Sequence, residues 1–329
     1  MIGRRAFIGW SGINLLGVSS VALTAQSPAM RRIGFLVPNP AVARRRLDAL
    51  RAGMRELGYV EKKNLVIEMR WPGGREQRAR DIVEQLIDAN TEVTVIHGGV
   101  ALLATLRITR VQHVNMPVVM ATCPAGSQFA DSPPGGPRAS VVTGLTDAAD
   151  TVPAQLQLLT EVRPKLARLA VLANPQYPGH PAIGASVAMA VKKTAIAVTR
   201  YDALTPTDID AAFAALVKAG AQAVLVAVDP SVAGAGRQIA ELGLKYKLPT
   251  LFAFHEHVEA GGLMSYGENV TATYRRAAVY VHKILTGTPV AGLRVEQANN
   301  VELFVNRKTA AALNITLPAA LLKRADKLI

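Results

Sequence analysis

One cysteine in 329 residues, Cys123, excludes an internal disulfide framework. Aromatic residues are 5% of the chain and nowhere interleave with basic runs in the way that base stacking requires. There is no G-X-Y period and no sustained heptad, which removes collagen-like and coiled-coil readings. The signatures G-x-x-x-x-G-K-[ST], G-x-S-x-G and H-E-x-x-H are all missing. Past the first 25 residues no uninterrupted apolar run reaches the length of about 18 that marks a membrane span, so a soluble mature chain is expected. Acidic residues are few, 24 against 37 Lys and Arg, and the net charge is +13. Taken alone that imbalance suggests nucleic acid or a membrane surface. The basic runs are short, however: Arg44-Arg45-Arg46, Arg275-Arg276 and Lys323-Arg324 fall on expected helices and read as solvated faces, so nucleic acid is not expected as a partner.

What is present is enough apolar material, 50% of the chain, to build a packed core and exclude disorder. The length fits two lobes of roughly 150 residues each.

The N-terminus has the layout of an export signal. Arg4 and Arg5 precede an uncharged stretch from Ala6 to Ala25, diluted by Trp10, Ser11, Asn14, Ser19 and Ser20. GRRAFIG resembles a twin-arginine signal, with Gly3 and Gly9 as departures, and the weak hydrophobicity suits that route. Residues 1–25 are therefore expected to be removed by cleavage near Ala25, leaving a periplasmic protein. The stretch contains no Cys to carry a lipid anchor. An uncleaved membrane anchor is the alternative, since about 20 apolar residues suffice to span.

From Met30 onward short β-rich runs alternate with helical periodicity. Strands are expected at 32–37, 65–69, 93–96, 118–121, 141–145, 169–173, 197–201, 223–228, 250–254, 263–266 and 301–305. Helices are expected between them, the first marked by Leu47, Leu50, Met54 and Leu57 before the stop at Gly58. Near-continuous Val/Ile strands separated by helices indicate parallel sheets covered on both faces. The series runs twice, which predicts an α/β protein of two doubly wound parallel-sheet lobes. A strand and helix after both series must return to one of them, so the chain is expected to cross between lobes more than once. Residues 30–145 with about 267–297 form the first lobe in this reading, and 146–266 with about 298–329 the second.

In open parallel sheets ligands sit beyond the carboxyl ends of the strands. Those positions hold Pro38-Asn39-Pro40, His97-Gly98-Gly99, Thr122-Cys123-Pro124, Asn174 to Tyr177, Asp229-Pro230-Ser231 and His255-Glu256-His257, with no Lys or Arg among them. Gly98-Gly99 precedes a helix, whose free N–H groups suit a carboxylate. Asp229 and Glu256 are placed to balance an ammonium. His255-Glu256-His257 lacks a third ligand at metal spacing and reads as an ordinary loop, so no metal is expected. Gly234-Ala235-Gly236 has Ile239 where a dinucleotide fingerprint needs its third Gly, and no cofactor is expected. Cys123 has no His at a diagnostic offset and reads as a pocket-lining or inert thiol.

Several stretches in order carry a family resemblance: RRIGFLVPNP, RAGMRELGYVEKKNLVIEMRWPGG, VIHGGVALLATL, TEVRPKLARLAVLANPQYP, DIDAAFAALVKAGAQAVLVAVDP, EAGGLMSYGENVTATYRRAAVYVHKILTG and VELFVNRKTAAALNITLPAALLKRAD. Together they resemble the substrate-binding proteins of ABC importers, the family that includes the tryptophan/tyrosine-type binding proteins. The resemblance implies a type I periplasmic-binding fold with three crossovers and a ligand enclosed between the lobes. It implies a monomeric, non-enzymatic protein with an ABC permease as partner and an amino-acid-like or aromatic small molecule as ligand. Asn39, Gly98, Gly99 and Cys123 are then expected to face Asn174, Tyr177, Asp229 and Glu256 across the cleft. Two departures stand out. Val100-Ala101 follow the Gly pair where Thr-Pro or a hydroxyl residue is usual, and Cys123 stands where an acidic residue often precedes Pro. A sensor of the same fold and an exported enzyme using Cys123 are the competing readings.

Overall fold

The structure is a computed structural model and describes residues 30–37, 40–72, 76–123, 141–146, 150–175, 180–227 and 232–329, with backbone only at 41, 42, 232 and 233. The expected export signal lies outside the described residues, as do Asn39, Tyr177 and Asp229.

The first sheet is built from β1 (Arg31–Leu36), β2 (Leu65–Arg70), β3 (Val93–Ile96), β4 (Val118–Ala121) and β5 (Val142–Thr146), with α1 (Pro40–Glu56), α2 (Glu76–Asp88) and α3 (Gly99–Val111) between strands. The second uses β6 (Arg168–Ala173), β7 (Ala197–Asp202), β8 (Ala223–Val226), β9 (Thr250–Phe252) and β10 (Met264–Glu268). Its helices are α4 (Val152–Val162), α5 (His180–Val191), α6 (Pro206–Lys218), α7 (Gly236–Lys245) and α8 (His255–Glu259). The chain then forms α9 (Val270–Leu285), β11 (Val295–Gln297), β12 (Val301–Val305), α10 (Arg307–Ala312), α11 (Ala319–Arg324) and β13 (Lys327–Leu328).

Strand order is β2-β1-β3-β4-β5-β11 in the first sheet and β7-β6-β8-β9-β10-β12-β13 in the second. Each sheet therefore carries the doubly wound order 2-1-3-4-5 before its added strands. The first sheet is parallel throughout, with Phe35 opposite Val95 and Leu36 opposite Ile96 in the central pair. The second is parallel except where β12 runs antiparallel to β10. The expected α/β fold with repeated crossings is the one observed. The chain passes between sheets after β5, after β10 and after β11.

Helix α9 shows why the chain returns. It buries Val270, Tyr274, Ala277, Ala278, Val281 and Leu285 along one stripe, at the three- and four-residue spacing of an amphipathic helix. That stripe joins the core of the first sheet with Leu47, Leu50 and Met54 of α1. The two helices meet at Gly53, where an added Cβ would lie 2.8 Å from Cβ of Ala278 and 2.9 Å from the Arg275 carbonyl oxygen. Only glycine permits that approach.

The strand after the Pro/Gly-rich segment ends the first series in the first sheet, where β5 pairs with both β4 and β11. Other expectations need correction. The short edge strands β11 and β13 had too little apolar pattern to be read from sequence. The stretch His255-Glu256-His257 opens helix α8 and is not a loop.

Candidate functional site

The strand order reverses between β1 and β3 in the first sheet and between β6 and β8 in the second. At such switch points the helices depart to opposite faces and leave a crevice beyond the carboxyl ends of the strands. His97, Gly98 and Gly99 follow β3, and Asn174 follows β6, so they occupy the two crevices. Cys123 follows β4 and Glu256 follows β9, one strand further along in each sheet.

Gly98 adopts φ 89°, which favours glycine, and begins α3 with no side-chain cap. Its own N–H donates to the Thr122 carbonyl at 3.1 Å, so it is not free for a carboxylate as expected. Any anion at this helix start depends on the N–H groups that follow. Cys123 is fully buried among Leu36, Ile96, Leu102 and Met120, with Sγ donating to the Ile96 carbonyl at 3.4 Å. Thr122 holds φ 65°, a position that a β-branched residue occupies at a cost of about 1–3 kcal/mol. What fixes it there is Glu268 at the end of β10, which accepts from Thr122 Oγ1 at 2.8 Å and from Thr273 Oγ1. The β4 loop of the first sheet is thereby tied to the crossing that leaves the second.

Three buried groups escaped the sequence reading. The largest correction is Arg46. The run Arg44-Arg45-Arg46 is not uniformly solvated: Arg46 is 2% exposed. Its Cζ lies 5.9 Å from the Phe254 ring centroid, and Nη1 donates to Glu256 Oε1 at 3.5 Å. The cleft therefore contains a guanidinium that strand-end positions alone do not reveal. The available signal was helical phase, since Arg46 falls on the stripe of Ala43, Leu47, Leu50 and Met54. Tyr274 is the second, fully buried on α9, with its hydroxyl 3.0 Å from His97 Nδ1 and the two rings stacked at 6.1 Å. Glu268 is the third.

These surroundings set the charges. Burial, together with the positive charge of Arg46, holds His97 well below the ordinary imidazole range, and it is neutral near pH 7. Burial pushes the Tyr274 hydroxyl far above its ordinary range, so it remains protonated. Burial draws the Glu256 carboxyl upward, but Arg46 and the histidines His255 and His257 outweigh it, and Glu256 is ionised. Arg46 already balances much of that carboxylate, so Glu256 is a weaker ammonium partner than expected from sequence.

Outside this pair, Arg45 Nη1 lies 2.8 Å from His255 Nε2 and Nη2 lies 2.5 Å from Glu259 Oε2. Arg45 supplies only donors to these contacts. The ring stacks on Phe304 at 4.8 Å. His257 is a packing residue, buried against Phe252 and Phe254 with its ring filling the space a side chain at Gly236 would need. Among the described residues no group of three or more His, Cys, Asp or Glu side chains is placed to hold a metal. Nor, among them, is any helix long and apolar enough to cross a membrane.

Two 2-1-3-4-5 sheets linked by three crossings, their carboxyl edges meeting at Arg46 and Glu256, define a two-lobed binding fold of the type I periplasmic class. The sequence model of the ABC transporter substrate binding protein family matches residues 33–329, and the chain belongs to that family. Among solved structures, a conserved domain protein of Vibrio cholerae is 24% identical, with 92% of this chain and 99% of that one covered at a TM-score of 0.80. An ABC domain from Streptococcus pneumoniae, in complex with L-Trp, is 20% identical over 92% of this chain and 100% of its own, at 0.79. A solute-binding protein of Bacillus halodurans with bound myo-inositol is 11% identical over 88% and 99%, at 0.58. No curated protein matches the chain.

Proposed function

We propose that the chain is an exported solute-binding protein. It captures an amino-acid-like or aromatic small molecule between its two lobes and presents it to the permease of an ABC importer. The observation that carries this reading is the convergence of both sheets' carboxyl edges on one set of polar groups: the buried Arg46, His97 and Tyr274 from one side and the partly buried Glu256 from the other. Family membership and the L-Trp complex of the pneumococcal neighbour support the ligand class. In this reading 30–145 with about 267–297 form one lobe and 146–266 with about 298–329 the other, consistent with the sheet that each strand joins. The contacts come from Asn39, Gly98, Gly99 and Cys123 on one wall and Asn174, Tyr177, Asp229 and Glu256 on the other. The Cys123 thiol is sealed in an apolar cluster and does not act as a nucleophile, so the contribution of this residue to the wall is through its backbone. The mature protein acts in the periplasm as a monomer after cleavage near Ala25. Solute binding biases an open–closed equilibrium because only the closed form offers both walls.

Isothermal titration with amino acids, aromatic acids and purine-like compounds tests the reading. At least one micromolar binder is expected, and Asp229→Ala or Glu256→Ala should abolish its binding. Wild-type affinity in both variants would remove those residues from the site, and a panel without any binder would overturn the proposed ligand class.

A further inference from the structure

Helix α1 begins with an electrostatic burden. Arg44, Arg45 and Arg46 stand in its first two turns, and its first turn holds no acid. The N-terminal end of a helix already carries a partial positive charge, so three cations there are mutually unfavourable. Relief comes from α8 of the second sheet, which packs on β10 and β12 and presents Glu256 and Glu259 towards α1.

We propose that Arg45 with His255 and Glu259 forms a rim latch that holds the lobes together before solute arrives. This rests on the two-lobed binding reading above and adds regulation of the same cleft. The groups border the Arg46–Glu256 pair, with His255 Nδ1 4.0 Å from Glu256 Oε2, and involve different side chains from it. Arg45 grips Glu259 at 2.5 Å and the His255 ring at 2.8 Å, and Lys327 of β13 supports Glu259 from behind at 3.7 Å. Both Arg45 contacts are lost when α1 separates from α8, so their stabilisation belongs to the closed arrangement, whereas Lys327–Glu259 lies within the second lobe and persists. Arg45 keeps 49% and Glu259 28% of side-chain exposure, so each contact is modest and screened by salt. A modest latch suits a binding protein. It raises the closed fraction, and with it the apparent affinity, without preventing release.

The test measures lobe separation in ligand-free protein, by pulsed electron resonance between spin labels at Val111→Cys and Met189→Cys, both exposed and one on each lobe. Cys123 is fully buried and stays unlabelled under native conditions. At low salt the parent is expected to show mainly the short distance. Arg45→Glu should raise the open-to-closed ratio about three- to tenfold, the size of one or two exposed ion pairs. The swap Arg45→Glu with Glu259→Arg should restore the short distance, and about 1 M salt should open the parent as the single variant does. Superimposable distance distributions for parent and Arg45→Glu would overturn the latch, and so would a swap that fails to restore closure. The failure of the binding reading looks different: it is the lack of any binder in the titration panel, whatever the distances do.

Discussion

The two walls of the cleft are made of different material. On the first-sheet wall the polar groups are sunk and neutral: His97 against Tyr274, Cys123 against the Ile96 carbonyl, Thr122 against Glu268 at the crossing. On the second-sheet wall the polar groups include two partly exposed carboxylates, Glu256 and Glu259, carried by a single short helix. Arg46 joins the two walls, a buried cation on α1 aimed at Glu256. The difference teaches which wall sets shape and which sets response. Buried neutral hydrogen bonds rigidify a surface, whereas half-exposed charges change their energy each time the lobes part.

The contrast predicts unequal costs. The largest belongs to Tyr274→Ala, which empties a buried aromatic site and should lower unfolding stability by about 3–5 kcal/mol in chemical denaturation. Tyr274→Phe keeps the packing and should cost only about 1 kcal/mol. Equal losses in the two variants would mean that the His97 hydrogen bond, and not packing, holds the neutral wall.

Next is the group that joins the walls. Arg46→Met leaves Glu256 ionised and partly buried, and should cost about 1–3 kcal/mol, between the ranges for exposed and buried pairs. Adding Glu256→Gln should recover part of that loss. A strictly additive double variant would show that the two side chains do not interact across the cleft.

A smaller effect is expected from pH. His97 is held below its ordinary 6.5, so the unfolded chain binds a proton that the folded chain refuses. The resulting stability is complete above that pH and declines as pH falls below it, by at most about 1.4 kcal/mol per unit for one group. Thermal melts between pH 7.5 and 5 should show the decline, and His97→Asn should flatten it. Glu256, held low, contributes stability that is present above the ordinary carboxylate range and is lost as pH falls through it. The smallest effects are expected on the outer faces, where alanine at Arg324 or Glu161 should change stability by less than about 1 kcal/mol.

Most of the architecture could be read in advance because parallel strands announce themselves as runs such as Val93–Ile96 and Val118–Ala121, buried along their whole length. The mouths of the cleft follow from where those runs stop, which is how His97, Gly98, Cys123 and Glu256 came to notice. Arg46, Tyr274 and Glu268 did not, for a common reason. They reach the cleft from the side of a helix or from a strand that hands the chain across, and strand ends say nothing of such side chains. Arg46 shows the limit most plainly: its charge suggested solvent, while its place on the apolar stripe of α1 pointed to the core. Charge was the weaker guide. The short strands β11 and β13 were invisible because pairing with a neighbour makes them, not their own composition.

The central claim is that a solute is held between the carboxyl edges of the two sheets. Hydrogen exchange with and without the binder found by titration tests it most directly. The account predicts new protection on both walls at once, around residues 97–99 and 122–123 in the first sheet and around 174 and 254–259 in the second. Protection confined to one sheet, or lying on helices away from these strand ends, would contradict it.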